Sequence, residues 1–468
     1  MKNKAATTGS FSTISPIDNS VYVTRDFASE FEIDTALDFA KAAQVAWKHV
    51  SLADRQAICS RMVDAFVAKK TEIAEEICWQ MGRPIRFAAG EVNGMEERAR
   101  AVIALAEKGL APITLTGKPG FQRWIKREAL GVVLVVAPWN YPYLTAINAL
   151  LPAILAGNTV ILKHSAQTPL CAERLFDAFR EAGMPDGVFQ FLHLNHAGTE
   201  SVIRDKRTNF VAFTGSVAGG AVVERAAAGR FMGLGLELGG KDPAYIREDA
   251  DLQHAVDTAM DGAFFNSGQS CCGIERIYVH ESVYEKFLAQ SVAWVENLKL
   301  GRSDNPGTTL GPMVRAEAAD FVREQICEAL AQGAKAHIDD AIFSEAVSGS
   351  AYMAPQILSE VNHSMRVMTE ESFGPVVGIQ KVKSDAEAVA LMNDSDYGLT
   401  AAIFTQDIEK GIQLGEQIET GTFFINRCDY LDPELAWTGV KESGRGCTLS
   451  QVGFEYLTRP KSFHIKIV

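Results

Sequence analysis

Val132-Val133-Leu134-Val135-Val136 is an unbroken apolar run, mostly β-branched, that stops at Ala137-Pro138. A strand with one face in water alternates. A continuous run of strand length needs cover on both faces, which a parallel sheet with crossover helices supplies. The run is also far too short to cross a bilayer. Its surroundings repeat the pattern. A helix over 146–155 ends at Gly157, and Thr159-Val160-Ile161-Leu162 is the next strand. Thr168-Pro169 predicts a helix start, with Thr168 as N-cap and Pro169 at N1, and Gly183 its end. A strand over 188–192, a short helix and the strand Phe210-Val211-Ala212-Phe213 continue the alternation. The predicted class is α/β, with a doubly wound sheet.

At 468 residues the chain exceeds one core and predicts two or three domains. Residues 34 to 107 are helical in pattern, punctuated by Gly82-Arg83-Pro84, with a helix resuming near Ala88. Alternation restarts after Gly240: a helix over 252–264, a strand over 276–280, a helix over 283–298, then strands at Val376-Val377-Gly378-Ile379 and Ala401-Ala402-Ile403-Phe404. This divides the chain into a first domain of 1–112 and 129–239 and a second of 240–450. The remaining segments, 113–128 and 451–468, form a small separate element. Within it, 114–127 predicts a hairpin arm. Ser462-Phe463-His464-Ile465-Lys466-Ile467 alternates like a strand that pairs outside its own domain.

Charge narrows the partners. The balance of 58 acidic against 45 basic residues, net −13, leaves no basic excess to displace the counterions of a nucleic acid. No apolar stretch suits a membrane span. Eight cysteines spread over this length do not form a disulfide framework, and none has zinc-site spacing, so no metal is expected. Residues 1–13 lack an apolar core and arginine, resemble neither a signal nor a transit peptide, and predict a frayed tail on a protein of a reducing compartment.

Open α/β sheets bind ligands beyond the carboxyl ends of their strands. Asn140, Lys163 and Gly215-Ser216 follow three such strands. Phe213-Thr214-Gly215-Ser216-Val217-Ala218-Gly219-Gly220 passes from strand through glycine turn to helix start. Its N–H groups and the Ser216 hydroxyl suit a diphosphate. It does not match GxGxxG, and an ordinary βα turn has the same look. Lys163 is either a ribose ligand or a solvated lysine. Gly268-Gln269-Ser270-Cys271-Cys272-Gly273 sets adjacent thiols in a turn of small residues, before or at a helix, where a thiolate is favoured. Buried, inert thiols are the alternative. Glu237 interrupts the apolar stretch 231–240 and is either at an exposed edge or buried for a purpose. Asn140 is an oxyanion donor or a turn residue. Nucleophile, base and oxyanion donor are the parts of covalent acyl chemistry.

Pro138-Trp139-Asn140, Phe213-Thr214-Gly215-Ser216, Glu237-Leu238-Gly239-Gly240-Lys241, Gly268-Gln269-Ser270-Cys271 and Glu371-Ser372-Phe373-Gly374-Pro375 follow in one order. Tyr397-Gly398-Leu399-Thr400-Ala401 and Lys441-Glu442-Ser443-Gly444 extend the series. Over essentially the whole chain it closely resembles the aldehyde dehydrogenase superfamily. The resemblance implies a Rossmann-like cofactor domain, a second α/β catalytic domain, and an oligomerisation element made of the hairpin and the C-terminal strand. It implies a cytoplasmic homodimer or homotetramer that oxidises a small-molecule aldehyde to a carboxylic acid with NAD or NADP.

Cys271, placed after Gly-Gln-x, is by resemblance the nucleophile that forms a thiohemiacetal, its oxyanion held by the Asn140 amide and the Cys271 N–H. Hydride loss to nicotinamide leaves a thioester, which water activated by Glu237 hydrolyses. Lys163 and Ser216 resemble the ribose and phosphate ligands, Glu371 the nicotinamide-ribose ligand, and Phe373 the aromatic near that ring. Trp139, Ser165, Ala166, Gly215, Gly220 and Leu238 complete the implied cofactor set. Relatives that pass the thioester to CoA lack the Glu, so hydrolysis is expected. The intact Cys271, Asn140 and Glu237 speak against a structural protein reusing the fold.

Three departures carry further expectations. Many relatives have a ribose-binding Glu where Lys163-His164-Ser165-Ala166-Gln167 has Ala166, so NADP should be tolerated, with Lys163, His164 and Ser165 nearby. Ala436-Trp437-Thr438-Gly439 replaces a common Pro-Phe-Gly-Gly, so Trp437 is expected to line the aldehyde tunnel with Tyr141, Leu144, Phe265 and Ser270. Upstream, the acids of Arg427-Cys428-Asp429-Tyr430-Leu431-Asp432-Pro433-Glu434 would attract an amino-aldehyde, Arg427 would anchor a carboxylate, or the loop is merely solvated. Cys272, directly after the nucleophile, is a pocket wall or a protective thiol able to close a strained ring with Cys271.

Overall fold

The computed structural model describes residues 9–468. The strand Val132–Ala137 is buried along its whole length. Alternate side chains enter different cores, because a strand points successive residues to opposite faces. Val132, Leu134 and Val136 pack with Ile33, Leu37 and Ile161 on one side. Val133, Val135 and Ala137 pack with Ile147, Leu151 and Leu162 on the other. The sheet runs Phe189–Phe191, Thr159–His164, Val132–Ala137, Thr208–Thr214, Gly233–Glu237, Gly444–Arg445. All neighbours are parallel except the last pair. Chain order reverses between Val132–Ala137 and Thr208–Thr214, so the crevice of a doubly wound sheet opens there.

The second sheet runs Lys335–Ala336, Gln356–Ser359, Val376–Val382, Ile274–His280, Asp242–Ile246, Thr400–Phe404, Thr422–Ile425. It too is parallel except for one edge, Lys335–Ala336. A third, antiparallel sheet joins Thr458–Lys466 to Phe121–Ala129 and Ile113–Thr114. The C-terminal strand therefore finds its partner in the arm. The arm's hairpin with Ile113–Thr114 is short, and its long pairing is with the C-terminus.

Several boundaries differ from expectation. Ser10–Ile14 is a strand paired with Val21–Asp26 rather than a frayed tail, and the first part of that tail, 1–8, lies outside the described residues. Gly444–Arg445 returns to the first sheet beside Gly233–Glu237, so 240–450 does not stay within the second. The helix Ile85–Gly109 starts straight after Pro84, earlier than Ala88, since Pro84 takes the extended entry conformation itself. Thr168 precedes the helix Pro169–Glu181 but does not cap it, because its hydroxyl pairs with His164 instead. Among the described residues no helix is long and apolar enough to cross a membrane.

Candidate active site

The turn carrying Cys271 is made by a left-handed break. The helix Leu252–Phe264 cannot continue through Asn266, Ser267 and Gly268, whose φ values are 54°, 57° and 70°. A Cβ on Gly268 would sit 2.2 Å from the Gly374 carbonyl oxygen, so glycine is required there. Buried amides hold the break. Asn266 Nδ2 donates to the Asn140 and Gln269 carbonyls, Gln269 Nε2 donates to the Asn266 carbonyl, and Gln269 Oε1 accepts from Val314 N. Cys271 thus lies on a turn leading into Ile274–His280 and not at a helix start.

Asn140 ends the first strand's exit loop and is buried, with Nδ2 3.3 Å from the Gln269 carbonyl. Its own carbonyl accepts from Arg83 at 2.6 Å. Arg83 pairs with Glu91 at 2.5 Å, and the two side chains are 2% and 0% exposed. The second Glu91 oxygen accepts from Tyr143 N at 2.9 Å and Leu144 N at 3.0 Å, the orphan donors that open the helix Pro142–Leu155. The Arg83 guanidinium also lies 4.6 Å from the centre of the Tyr141 ring. One ion pair therefore sets the Asn140 backbone and the tunnel residues after it. Gly82-Arg83-Pro84 reads in the sequence as punctuation, and nothing local marks Arg83 as more.

Glu237 is the last residue of its strand, opposite Thr214 on one side and Gly444 on the other. Thr214 donates to Oε2 at 3.1 Å and Thr448 donates to Oε1. Burial is the largest influence and raises the carboxyl above its ordinary value, against the two hydroxyls and Arg98. A carboxylate so placed is tuned upward, the direction a general base working near neutral pH requires. Trp437, expected in the tunnel, lies in the core instead. Its backbone exchanges both hydrogen bonds with Thr448, at 2.9 Å each, and so steadies the hydroxyl on Glu237.

Two cavities meet at this turn. One, of about 260 Å³, is lined by Glu97, Arg98, Tyr141, Leu144, Asp261, Phe265, Ser270, Cys272 and Asp429, and by Cys271. The other, of about 780 Å³, runs past Trp139, Asn140, Gly215, Ser216, Glu237, Leu238, Glu371 and Phe373, and also reaches Cys271. The family model for the aldehyde dehydrogenase family matches residues 3–463. The chain is 34% identical to succinate semialdehyde dehydrogenase Sad, an NAD(P)+ enzyme of Escherichia coli (strain K12), over 91% of this chain and 92% of that one. It is 32% identical to betaine aldehyde dehydrogenase of Bacillus subtilis (strain 168), over 89% and 85%. The crystal structure of an aldehyde dehydrogenase from Brucella melitensis biovar abortus 2308 superposes with a TM-score of 0.93 at 29% identity, over 97% and 94%. The chain belongs to the aldehyde dehydrogenase family. It is an NAD(P)-dependent enzyme that oxidises aldehydes to carboxylic acids.

The larger cavity fits the dinucleotide of an aldehyde dehydrogenase. Ser216 caps the helix Val217–Ala227 by accepting from Gly219 N at 3.2 Å, which leaves its own O–H to donate at an anion-binding helix end. Trp139 and Phe373 meet edge to face at 5.7 Å. A Cβ on Gly239 would lie 2.4 Å from the Glu371 carboxylate, so the glycine makes room for that side chain. Burial first, then Glu275, pushes Glu371 up to about 8. Glu275 accepts from Ser372 N at 2.7 Å and Phe373 N at 2.8 Å and pairs with the buried Lys241 at 2.6 Å, fixing the loop that carries Glu371 and Phe373.

Lys163, Ser165 and Ala166, expected to hold the cofactor, are not on the wall of this cavity. Lys163 is half-buried, makes no salt bridge among the described residues, and is pushed down to about 8 by burial. Ser165 is half-buried and Ala166 exposed. His164 is not available to a 2′-phosphate as expected. It is buried, burial first holds it down to about 4, and its ring nitrogens are taken by the Pro142 carbonyl on one side and by Ser165 N and Thr168 on the other. Gly220 does not line the cleft either. A Cβ there would lie 2.7 Å from a Leu238 methyl, so its role is close packing of the helix on Leu238.

Proposed function

We propose that this aldehyde dehydrogenase works by a hydrolytic thioester route in which Cys271, Asn140 and Glu237 hold the three chemical roles. The Cys271 thiolate adds to the carbonyl carbon. The Asn140 amide and the Cys271 N–H donate to the oxygen that becomes negative. NAD(P)+, when bound, accepts the hydride that the carbon must lose. Glu237 then takes a proton from water as that water attacks the thioester carbon, and the Cys271 thiolate leaves. The observation that carries this reading is that Cys271 is on the walls of both cavities while Glu237 is on the cofactor side. That arrangement gives water and aldehyde separate approaches to one sulfur. A base in that position argues for transfer to water over transfer to CoA.

Both ends of the site carry a preference. At the adenosine end, Ala166 offers no carboxylate to repel a 2′-phosphate, and the unpaired Lys163 is the nearby cation. Among the described residues lining the tunnel, Glu97, Asp261 and Asp429 face one cation, Arg98, whose guanidinium donates to the Leu144 carbonyl and to Asn148. Arg427 is exposed and stacks at 3.7 Å over the Tyr430 ring, which removes it as an inward anchor. We therefore expect NADP and NAD to support kcat/KM within about tenfold of each other, and an amino-aldehyde to exceed succinate semialdehyde by about tenfold, since like charges across a site cost affinity. One panel of aldehydes assayed with both coenzymes measures both. Ala166→Glu should favour NAD by at least about tenfold. A strong wild-type preference for NAD, or for the carboxylated aldehyde, would sink the corresponding half.

Among the described residues the C-terminal strand Thr458–Lys466 has no partner on its outer edge, and Ile113, Leu115, Ile465 and Ile467 of the same sheet and its flanks are exposed. An open edge with apolar flanks supports pairing with a second copy in a homodimer or homotetramer. Sedimentation of the protein at the 50.9 kDa of a single chain would rule this out.

A further inference from the structure

The residues on either side of Cys271 donate to the same atom. Ser270 Oγ lies 2.8 Å and Cys272 Sγ 3.0 Å from Oδ1 of Asp429. Ser270 and Cys272 are almost wholly buried, at 3% and 2% exposure. Asp429 reaches them from the loop after the strand Thr422–Ile425, with φ at 45°. A non-glycine residue holds that conformation only where its surroundings over-determine it. The two hydrogen bonds are such a constraint.

A carboxylate has no proton to give, so its bond to Cys272 exists only while the sulfur keeps its hydrogen. Loss of that hydrogen would set a thiolate 3.0 Å from a carboxylate, two like charges away from water. No carboxylate hydrogen-bonds Cys271 among the described residues, and Cys271 lines both cavities. The other titratable groups around the pair do not reverse this asymmetry. Cys271 itself is the largest influence raising the Cys272 thiol, followed by burial and Asp429. Arg98 faces this pair from the same cavity wall, and Cys272 acts on it more strongly than Cys271 does. Tyr141 lies on the Cys272 side, and Asp261 and Arg83 act on Asp429 with opposite signs.

We propose that Asp429 decides which of the two adjacent thiols is the nucleophile, by holding Cys272 as a hydrogen-bond donor and leaving Cys271 as the one that ionises. The proposal rests on Cys271 being the catalytic thiol. Asp429 is a positioning residue here: it acts through Ser270 and Cys272 and pins the turn from both sides of the sulfur. Two neighbouring thiolates at one site would compete for the aldehyde, and only one of them has Asn140 beside it.

Site-resolved alkylation tests this. Wild type, Asp429→Asn and Asp429→Ala are treated with limiting iodoacetamide at about pH 8, where a carboxyl displaced only to about 6 is ionised, and labelling of Cys271 and Cys272 is separated by peptide fragmentation. Wild type should label Cys271 over Cys272 by at least about tenfold. Asp429→Asn should raise Cys272 labelling by about tenfold, because an amide N–H donates to a thiolate where the carboxylate repelled it. Asp429→Ala should give a smaller rise, since it removes the repulsion and adds no donor. Equal or greater labelling in the Ala variant would mean access, not ionisation, and would overturn the proposal, as would no change in either variant. Wild-type label mainly on Cys272 would instead remove Cys271 as the catalytic thiol. Should the Asp429 variants not fold, Cys271→Ser decides: Cys272 must then react at least about tenfold more slowly than Cys271 does in wild type, and fast reaction overturns the proposal.

Discussion

Glu237→Gln is expected to leave the first half of the reaction running and to stop the second. Glutamine keeps the size of the side chain and an oxygen that can accept from Thr214 or Thr448, so the wall of the cleft should survive. It cannot take a proton from water. Steady-state turnover should fall by about 10²–10⁴-fold, the usual worth of a positioned base. Rapid mixing should show a burst of about one reduced coenzyme per site, and acid-quenched enzyme should carry the acyl mass on the Cys271 peptide. Steady turnover within about tenfold of wild type would remove Glu237 as the base. The pH profile gives a second check. Burial raises the Glu237 carboxyl, and a base acts deprotonated, so hydrolysis should fail as pH drops through that raised value. The acid limb must therefore lie above the range of an exposed glutamate, about 4.3. Thr448→Val removes a bond that lowers it and should move the limb higher still.

Glu91→Ala should be the most destabilising single change near the site. It leaves the Arg83 guanidinium buried without its carboxylate, which costs about 3–5 kcal/mol, and it strips the acceptor from Tyr143 N and Leu144 N. The urea midpoint should drop accordingly, and kcat should fall with it because Asn140 is tethered through Arg83. The double change Arg83→Met with Glu91→Leu separates the two effects. Replacing both charges by apolar groups of similar volume should restore most of the stability. It should not restore kcat, since the Asn140 carbonyl then loses its 2.6 Å bond from Arg83 and keeps only the 3.3 Å one from Asn266. Recovery of kcat in the double variant would show that the ion pair is stabilising only.

The doubly wound sheet was legible because its signal is local. Val132–Ala137 has to be covered on both faces whatever follows it, and glycines at 157 and 183 with φ of 90° and 79° end helices where the chain says they must. The motif residues were legible for a similar reason, each being carried by a short string. What could not be read was anything made by two distant segments. Ser10–Ile14 looks like a polar tail until Val21–Asp26 pairs with it, and Gly444–Arg445 belongs to the first sheet only through its register with Gly233–Glu237. Trp437 and His164 were misjudged in the same way. An aromatic beside a motif and a histidine beside a lysine are chemically suited to a tunnel wall and a phosphate site. Packing turned one toward Thr448 and the other toward Pro142 and Thr168.

The order of residues along the chain was enough to determine the sheet class, the family resemblance and which cysteine follows Gly-Gln-x, because each depends on neighbours in sequence. The environment of each proposed catalytic group was decided only by the tertiary structure. Glu237 owes its raised carboxyl to burial at a strand end and its hydroxyl partners to Thr214 and Thr448, from two separate segments. Asn140 is steadied by an arginine 57 residues away in sequence. Cys272 meets its carboxylate across 157 residues. Hydrogen bonds and burial depend on distance in space, and a folded chain sets those distances through contacts that no stretch of sequence contains.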